Sequence, residues 1–181
     1  MTQAPARPKR ILHLHFGKEG GAERFFVSLC QGFAGEGVEQ RFLIRPGRSW
    51  RDEVAALGEV KEAHYPRFWP IRKLLQNWVD AQTRDWKPDA VIAWMPKAAT
   101  LLPEAAGPAK LVRLGDYPRH IEHFARASCI ITNTPDIPNR LKSLGWTGAV
   151  EVISNFPRVG ETAGEAPEFD LPTGSFILCA A

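Results

Sequence analysis

Apolar runs of strand length alternate with stretches of helical periodicity through most of this chain, the signature of a parallel α/β sheet. The runs fall at 10–16, 39–45, 59–63, 89–94, 110–114, 128–132 and 149–153. Between the first two, Ala22, Phe25, Phe26, Leu29, Cys30 and Phe33 recur at the spacing of one helix face, and Gly35 and Gly37 close it. A second helix follows Pro70, with Ile71, Leu74, Leu75, Trp78 and Val79 on its apolar side. A third opens at Thr134, whose hydroxyl is placed to cap the first turn, with Pro135 and Asp136 behind it and Gly145 as its stop. The expected fold class is α/β, a Rossmann-like doubly wound parallel sheet.

The pattern changes after Asn155. Residues 156–174 are rich in Gly, Pro and acids and read as a linker. Ser175 to Ala181 then resembles the opening of a buried strand, so the expected organisation is a domain at 1–155, a linker at 156–174 and the first strand of a truncated second domain at 175–181. The alternative is a last strand folding back onto the same sheet.

Composition narrows the class. The chain has 181 residues, 44% of them hydrophobic and 24% charged, which is globular and sized for one ordinary domain. A net charge of +3 is too small to argue for nucleic acid. It is unevenly spread: residues 1–73 hold 13 Lys and Arg against 8 Asp and Glu. That fits either an ordinary solvated surface or a face meeting anionic lipid or phosphorylated sugar. The scattered Cys30, Cys129 and Cys179 show no ligand spacing and read as reduced thiols, pointing to the cytoplasm.

In a doubly wound sheet, ligands sit beyond the carboxyl ends of the strands. The first such loop, Gly17-Lys18-Glu19-Gly20-Gly21, joins a strand to a helix start. Its adjacent glycines and the helix end suit an anion, although a tight turn explains them equally well. Glu19 stands where a dinucleotide fingerprint needs its second glycine, and Ala22-Glu23 follows where a P-loop needs Lys-Ser/Thr. Neither a dehydrogenase nor an NTPase is supported.

Gly20-Gly21-Ala22-Glu23-Arg24 after a first strand resembles the N-terminal motif of family 4 glycosyltransferases, retaining enzymes of the two-Rossmann-domain GT-B fold. The resemblance continues through Arg113-Leu114-Gly115-Asp116-Tyr117, Asn133-Thr134-Pro135-Asp136-Ile137 and Val152-Ile153-Ser154-Asn155-Phe156. Phe176-Ile177-Leu178-Cys179-Ala180 then matches the first strand of the family's second domain. The flavour is that of bacterial enzymes building lipopolysaccharide or other surface glycans.

The resemblance implies the N-terminal, acceptor-side half of an enzyme that moves a sugar from a nucleotide-diphosphate donor to a glycan or glycolipid. It implies no cofactor, and no Asp-x-Asp metal motif occurs. Gly20 and Gly21 would face the donor diphosphate; His15, Arg45, Arg113, Gly115, Asn133 and Thr134 would form the acceptor wall. Most donor contacts would come from the other domain, leaving this chain alone inactive. Gly115-Asp116 replaces the commoner His-Asp, so Asp116 either orients an acceptor hydroxyl or caps a helix running from Tyr117 through Phe124. His13 reads as a core histidine, while His120 and His123 read as surface residues without a third metal ligand. Arg45, Arg48 and Arg51 form either a phosphate-binding cluster or a solvated loop. Tyr65 to Lys73 mixes aromatics and bases, compatible with peripheral contact with an anionic membrane or with a loop packed on the core. A non-catalytic Rossmann-like binding module is the alternative to the transferase.

Overall fold

A computed structural model describes residues 7–18, 20–65 and 68–156. Apart from Phe156, the expected linker and the strand at 175–181 lie outside the described residues. Seven parallel strands form one sheet: β1 (Arg10–His15), β2 (Glu39–Ile44), β3 (Gly58–Glu62), β4 (Ala90–Trp94), β5 (Ala109–Leu114), β6 (Cys129–Thr132) and β7 (Ala149–Val152). Their order is β3-β2-β1-β4-β5-β6-β7. The expected runs thus became strands with ends shifted by a residue or so, and the fold class is the Rossmann-like α/β sheet that the alternation implied.

The strand order reverses between the parallel β1 and β4, where His15 pairs with Trp94. Their carboxyl ends diverge into loops on opposite sides, which opens a crevice at this switch point. Among the described residues five α-helices connect the strands: α1 (Gly21–Gly35), α2 (Arg51–Ala55), α3 (Trp69–Asp85), α4 (Met95–Ala99) and α5 (Asp136–Ser143). Because strand side chains alternate in direction, β1 feeds two cores. Ile11 packs with Phe26, Cys30, Trp50 and Val54 of the α1–α2 side. Leu12 and Leu14 pack with Val79, Ala98 and Leu141 of the α3–α4–α5 side.

Several local expectations need correction. No side chain caps α5; Pro135 is its N-cap residue, already helical at φ −69 and ψ −13. Thr134 instead offers its carbonyl oxygen to the Thr132 hydroxyl at 3.3 Å. No helix runs from Tyr117 through Phe124, only a 3-10 turn at Glu122–Phe124. Pro118 supplies the reason: it disfavours a helical conformation at the Tyr117 before it. On α3, Leu75 and Val79 are buried as expected, but Ile71 and Leu74 are 55% and 68% exposed. The helix rests on the sheet through its 75–79 stripe, so its first turn overhangs. The five-residue helices α2 and α4 went unseen because they are too short to show a period.

One glycine is fixed by packing at the sheet edge. A Cβ on Gly58 would strike the Gln40 carbonyl oxygen and stand 2.9 Å from its carbon, and backbone cannot step aside cheaply. Gly58→Ala is expected to destabilise the chain by about 1–3 kcal/mol, the usual cost of overpacking. A urea midpoint unchanged from that of the parent would contradict this reading.

Candidate functional site

A cavity of about 460 Å³ opens at the switch point. Its wall includes His15 from β1, Phe25 from α1, Trp94 and Met95 at the end of β4, and Arg113 to His120 from β5 and the loop after it. Of the expected site residues it brings together His15, Arg113, Gly115 and Asp116. Gly21 faces a neighbouring hollow with Arg24, Phe25 and Asn155. Arg45, Asn133 and Thr134 line neither. Asn133 stays within reach of the site, its amide donating to the Gly115 carbonyl at 3.5 Å.

Arg113 dominates the electrostatics. It is 7% exposed, yet no carboxylate pairs with it among the described residues. Its guanidinium donates to the carbonyl oxygens of Thr132 (3.0 Å) and Ile153 (2.7 Å) and to Asn155 Oδ1 (2.7 Å). It also lies 4.9 Å from the Phe25 ring centroid, a cation–π contact. Those bonds use three of the five guanidinium donors and none of them supplies negative charge. Burial pushes the Arg113 pKa down. An uncompensated buried cation on a cavity wall is a standing attraction for an anionic ligand.

The two β1 histidines sit on one sheet face, as alternation required, but play different parts. His13 is fully buried and stacks on Phe42 at 5.2 Å between ring centroids. Its Nδ1 accepts from the Trp94 indole at 3.3 Å, which assigns the ring proton to Nε2, facing Gln40 Oε1 at 3.1 Å. His15 accepts the Gly17 N–H at Nδ1 (3.1 Å), so its Nε2 proton points toward Glu23 Oε1 at 4.0 Å. Burial pushes both pKa values down to about 3, so both rings are neutral near pH 7.

The glycine loop is shaped by Glu23, a member of the Gly20–Arg24 motif to which the sequence assigned no role of its own. This acid is only 6% exposed. Its carboxylate lies against Gly17, where a Cβ would strike it and stand 2.6 Å from His15 Cε1. Gly20 begins α1 at φ 155, a conformation that glycine adopts readily. The Trp50 indole pins the same loop by donating to the Lys18 carbonyl at 3.3 Å. The chain's own carboxylate therefore occupies the His15 side of the helix start. Gly21 stays open, with nothing within 4 Å of a Cβ placed there.

Asp116 acts locally rather than as a helix cap: its Oδ1 accepts the Tyr117 N–H at 2.7 Å. No other bond engages Oδ2 among the described residues. His120 and His123 are exposed, as expected, yet both line the cavity. Arg51 is engaged by Asp52 (2.9 Å) and Glu62 (3.5 Å), which weakens the idea of a three-arginine cluster. Met95 follows β4 at φ 72, a strained value for a residue with a side chain, and the strain falls on the cavity wall.

No protein-family model matches the chain. It is 43% identical over 170 residues to the lipopolysaccharide core biosynthesis glycosyltransferase LpsE of Rhizobium meliloti (strain 1021), covering 93% of this chain and 50% of that protein. The chain thus spans about half the length of the curated relatives it matches. Among solved structures, Anabaena HepE in complex with UDP-glucose superposes with a TM-score of 0.59 at 18% identity, over 81% of this chain and 43% of that one. The apo lipopolysaccharide outer core galactosyltransferase WaaB gives 0.60 at 15%, over 90% of this chain and 50% of that one. At those identities the likeness is one of fold. Its coverage is that of one half of a glycosyltransferase chain.

The neutral histidines make stability depend on pH. Both folded pKa values lie below the ordinary 6.5, so the unfolded chain binds more protons between about pH 3 and 6.5. Stability present near neutrality is lost as pH falls through that window, with a limiting slope of about 1.4 kcal/mol per pH unit for each ring. Urea unfolding at steps from pH 7 to pH 4 measures it. Replacing His13 with Gln should flatten the curve, and an unchanged slope would remove His13 from the account.

Proposed function

We propose that this chain is the N-terminal, acceptor-side domain of a retaining glycosyltransferase that adds a sugar to a bacterial surface glycan, in the manner of the lipopolysaccharide-core enzymes. The observation that carries the reading is the unpaired cation of Arg113 on the wall of a switch-point cavity, in a chain 43% identical to half of such an enzyme. The donor is a nucleotide-diphosphate sugar, a UDP-sugar being the first to try because HepE was solved with UDP-glucose. No cofactor is needed for the chemistry proposed.

In the proposed reaction the bond between the sugar's anomeric carbon and the diphosphate oxygen breaks, and a bond to the acceptor hydroxyl oxygen forms. Negative charge grows on the leaving diphosphate. It approaches at the open Gly21, past Gly20, where the Glu23 carboxylate would stand 3.3 Å from a Cβ, and Arg113 supplies positive potential from the cavity wall. Asp116, with Oδ2 disengaged, receives or orients the acceptor hydroxyl proton, which leaves finally with the diphosphate. His15 and Gly115 shape the acceptor pocket, Asn133 supports the Gly115 turn, Thr134 follows Asn133 in the loop before α5, and Arg45 borders the carboxyl end of β1 beside His15. The principal donor contacts come from the other half of the relatives' length, so this chain alone is proposed to be inactive.

The test is transfer of labelled sugar from UDP-hexoses to lipopolysaccharide-core acceptors by the protein that carries this chain. Asp116→Asn keeps an oxygen for the Tyr117 N–H and removes the base; kcat is expected to fall about 100-fold or more. Transfer of no sugar, or an unchanged kcat in that variant, would overturn the assignment. The anomeric configuration of the first product, read by proton NMR, decides between retention and inversion.

We also propose that the protein works at the cytoplasmic face of a membrane, where Cys30 and Cys129, both free thiols, stay reduced. No helix among the described residues is long and apolar enough to cross a membrane. Contact is instead peripheral, through the overhanging start of α3: Phe68, Ile71 and Leu74 are 74%, 55% and 68% exposed, with Lys61 beside the last two. Vesicles rich in anionic lipid should sediment the protein at low salt, and serine at these three apolar positions should abolish that. Equal sedimentation of parent and variant would sink the membrane face.

A further inference from the structure

A second cavity, also about 460 Å³, lies on the other flank of α3. His123 borders both cavities, so the two are neighbours along one surface. The lining here is of a different kind: Arg72, Lys73 and Gln76 from α3, Thr100 behind α4, and Arg126 after the 3-10 turn. Helical spacing separates these residues from Ile71 and Leu74, which face the opposite flank with Lys61 and Trp78.

The floor is built rather than fluid. Gln76 is 6% exposed and its amide reaches the Leu101 and Leu102 carbonyls at 3.4 and 3.5 Å. Its Oε1 accepts from Arg126 Nη1 at 3.1 Å, and Leu102 O accepts from the same nitrogen at 3.0 Å. Glu104 pairs with the other Arg126 nitrogen at 2.5 Å. With Glu104 so engaged, Glu122 is the other acid on the lining, against Arg72 and Lys73. Neither of these two cations has an ion-pair partner among the described residues.

We infer that this second cavity binds an anionic substituent, a phosphate or a carboxylate, on the saccharide acceptor whose reacting hydroxyl lies in the first cavity. The inference rests on the transferase reading and names the class of acceptor: a charged oligosaccharide, not a neutral one. Two free cations beside a preorganised guanidinium make charge-assisted hydrogen bonds to such a group. A neutral sugar in the same place would desolvate them without return. The volume suits one sugar ring with its substituent. The shared border at His123 lets one acceptor span both cavities.

The transfer assay tests it with three acceptors of one backbone: phosphorylated, phosphatase-treated and uronate-bearing. KM is expected to be about tenfold lower for the charged acceptors than for the neutral one. Arg72→Gln combined with Lys73→Gln should bring that ratio close to one, whereas Glu122→Gln should widen it, an effect of opposite sign that loss of structure would not produce. Equal KM values for charged and neutral acceptors in the parent, or a preference that survives the double variant, would overturn the subsite.

A titration independent of transfer separates this failure from that of the transferase reading. Inorganic phosphate added to the isotope-labelled full chain should shift the Gln76 side-chain amide and the Arg126 Nε–H signals, and should not do so in the double variant. Absence of those shifts overturns the site whether or not sugar is transferred. Shifts by phosphate without any acceptor preference assign the cavity to a free anion and equally overturn the acceptor role.

Discussion

Arg113 holds a positive charge inside the fold with no ion-pair partner among the described residues, and much of the site's architecture follows from that. Its guanidinium reaches the end of β6 through Thr132 and the chain beyond β7 through Ile153 and Asn155. It also rests on Phe25 of α1. One side chain thus ties together the two outer strand ends and the helix that follows β1. Carbonyl and amide oxygens solvate the charge without cancelling it, so the cation is held in place while its field stays available to the cavity. A salt bridge would have spent that field internally.

A second layer keeps the rest of the wall from moving. His13 and His15 are aromatic parts of the α1-side core, and burial fixes both as neutral rings whose tautomers are set by Trp94, Gln40 and Gly17. Neutrality matters beside Arg113, because a protonated His15 would add like charge within the same cavity. Glu23 does the complementary work at the helix start, satisfying the positive end of α1 on one side and leaving Gly21 bare on the other. The loop therefore offers an anion one route of approach, which is a stronger geometric statement than two adjacent glycines make alone.

Much of this was legible in the sequence, and the boundary of what was legible has a physical cause. Strands buried on both faces read as continuous apolar runs, so Ile11 to His15 and Ala90 to Trp94 announced themselves, and the alternation of elements gave the sheet. The strand-end rule then pointed to His15, and the family resemblance to Arg113, Gly115 and Asp116. Phe25, Trp94, Met95, Asn155 and Glu23 were missed because they enter the site through tertiary contacts between elements far apart in the chain. Glu23 carried a signal in hindsight, an acid in the first turn of a helix whose face it shares with Phe26 and Cys30. The Tyr117–Phe124 helix fails because Pro118 disfavours a helical Tyr117, whereas Thr134 is engaged through its carbonyl by the Thr132 hydroxyl instead of capping α5.

α3 shows how periodicity can be right about direction and silent about depth. The apolar face from Ile71 to Val79 is real, but Leu75 and Val79 are buried in the core while Ile71 and Leu74 stay exposed. That exposed start gives the helix two functional flanks where a fully packed helix would have one. Ile71 and Leu74 look away from the cavities, while Arg72, Lys73 and Gln76 look toward the surface that leads by way of His123 to Arg113. The apolar edge proposed to seat on lipid and the basic edge proposed to read a charged saccharide are then set by the same few residues of one helix. The angle at which that helix meets the membrane would decide which acceptor atoms come level with Asp116.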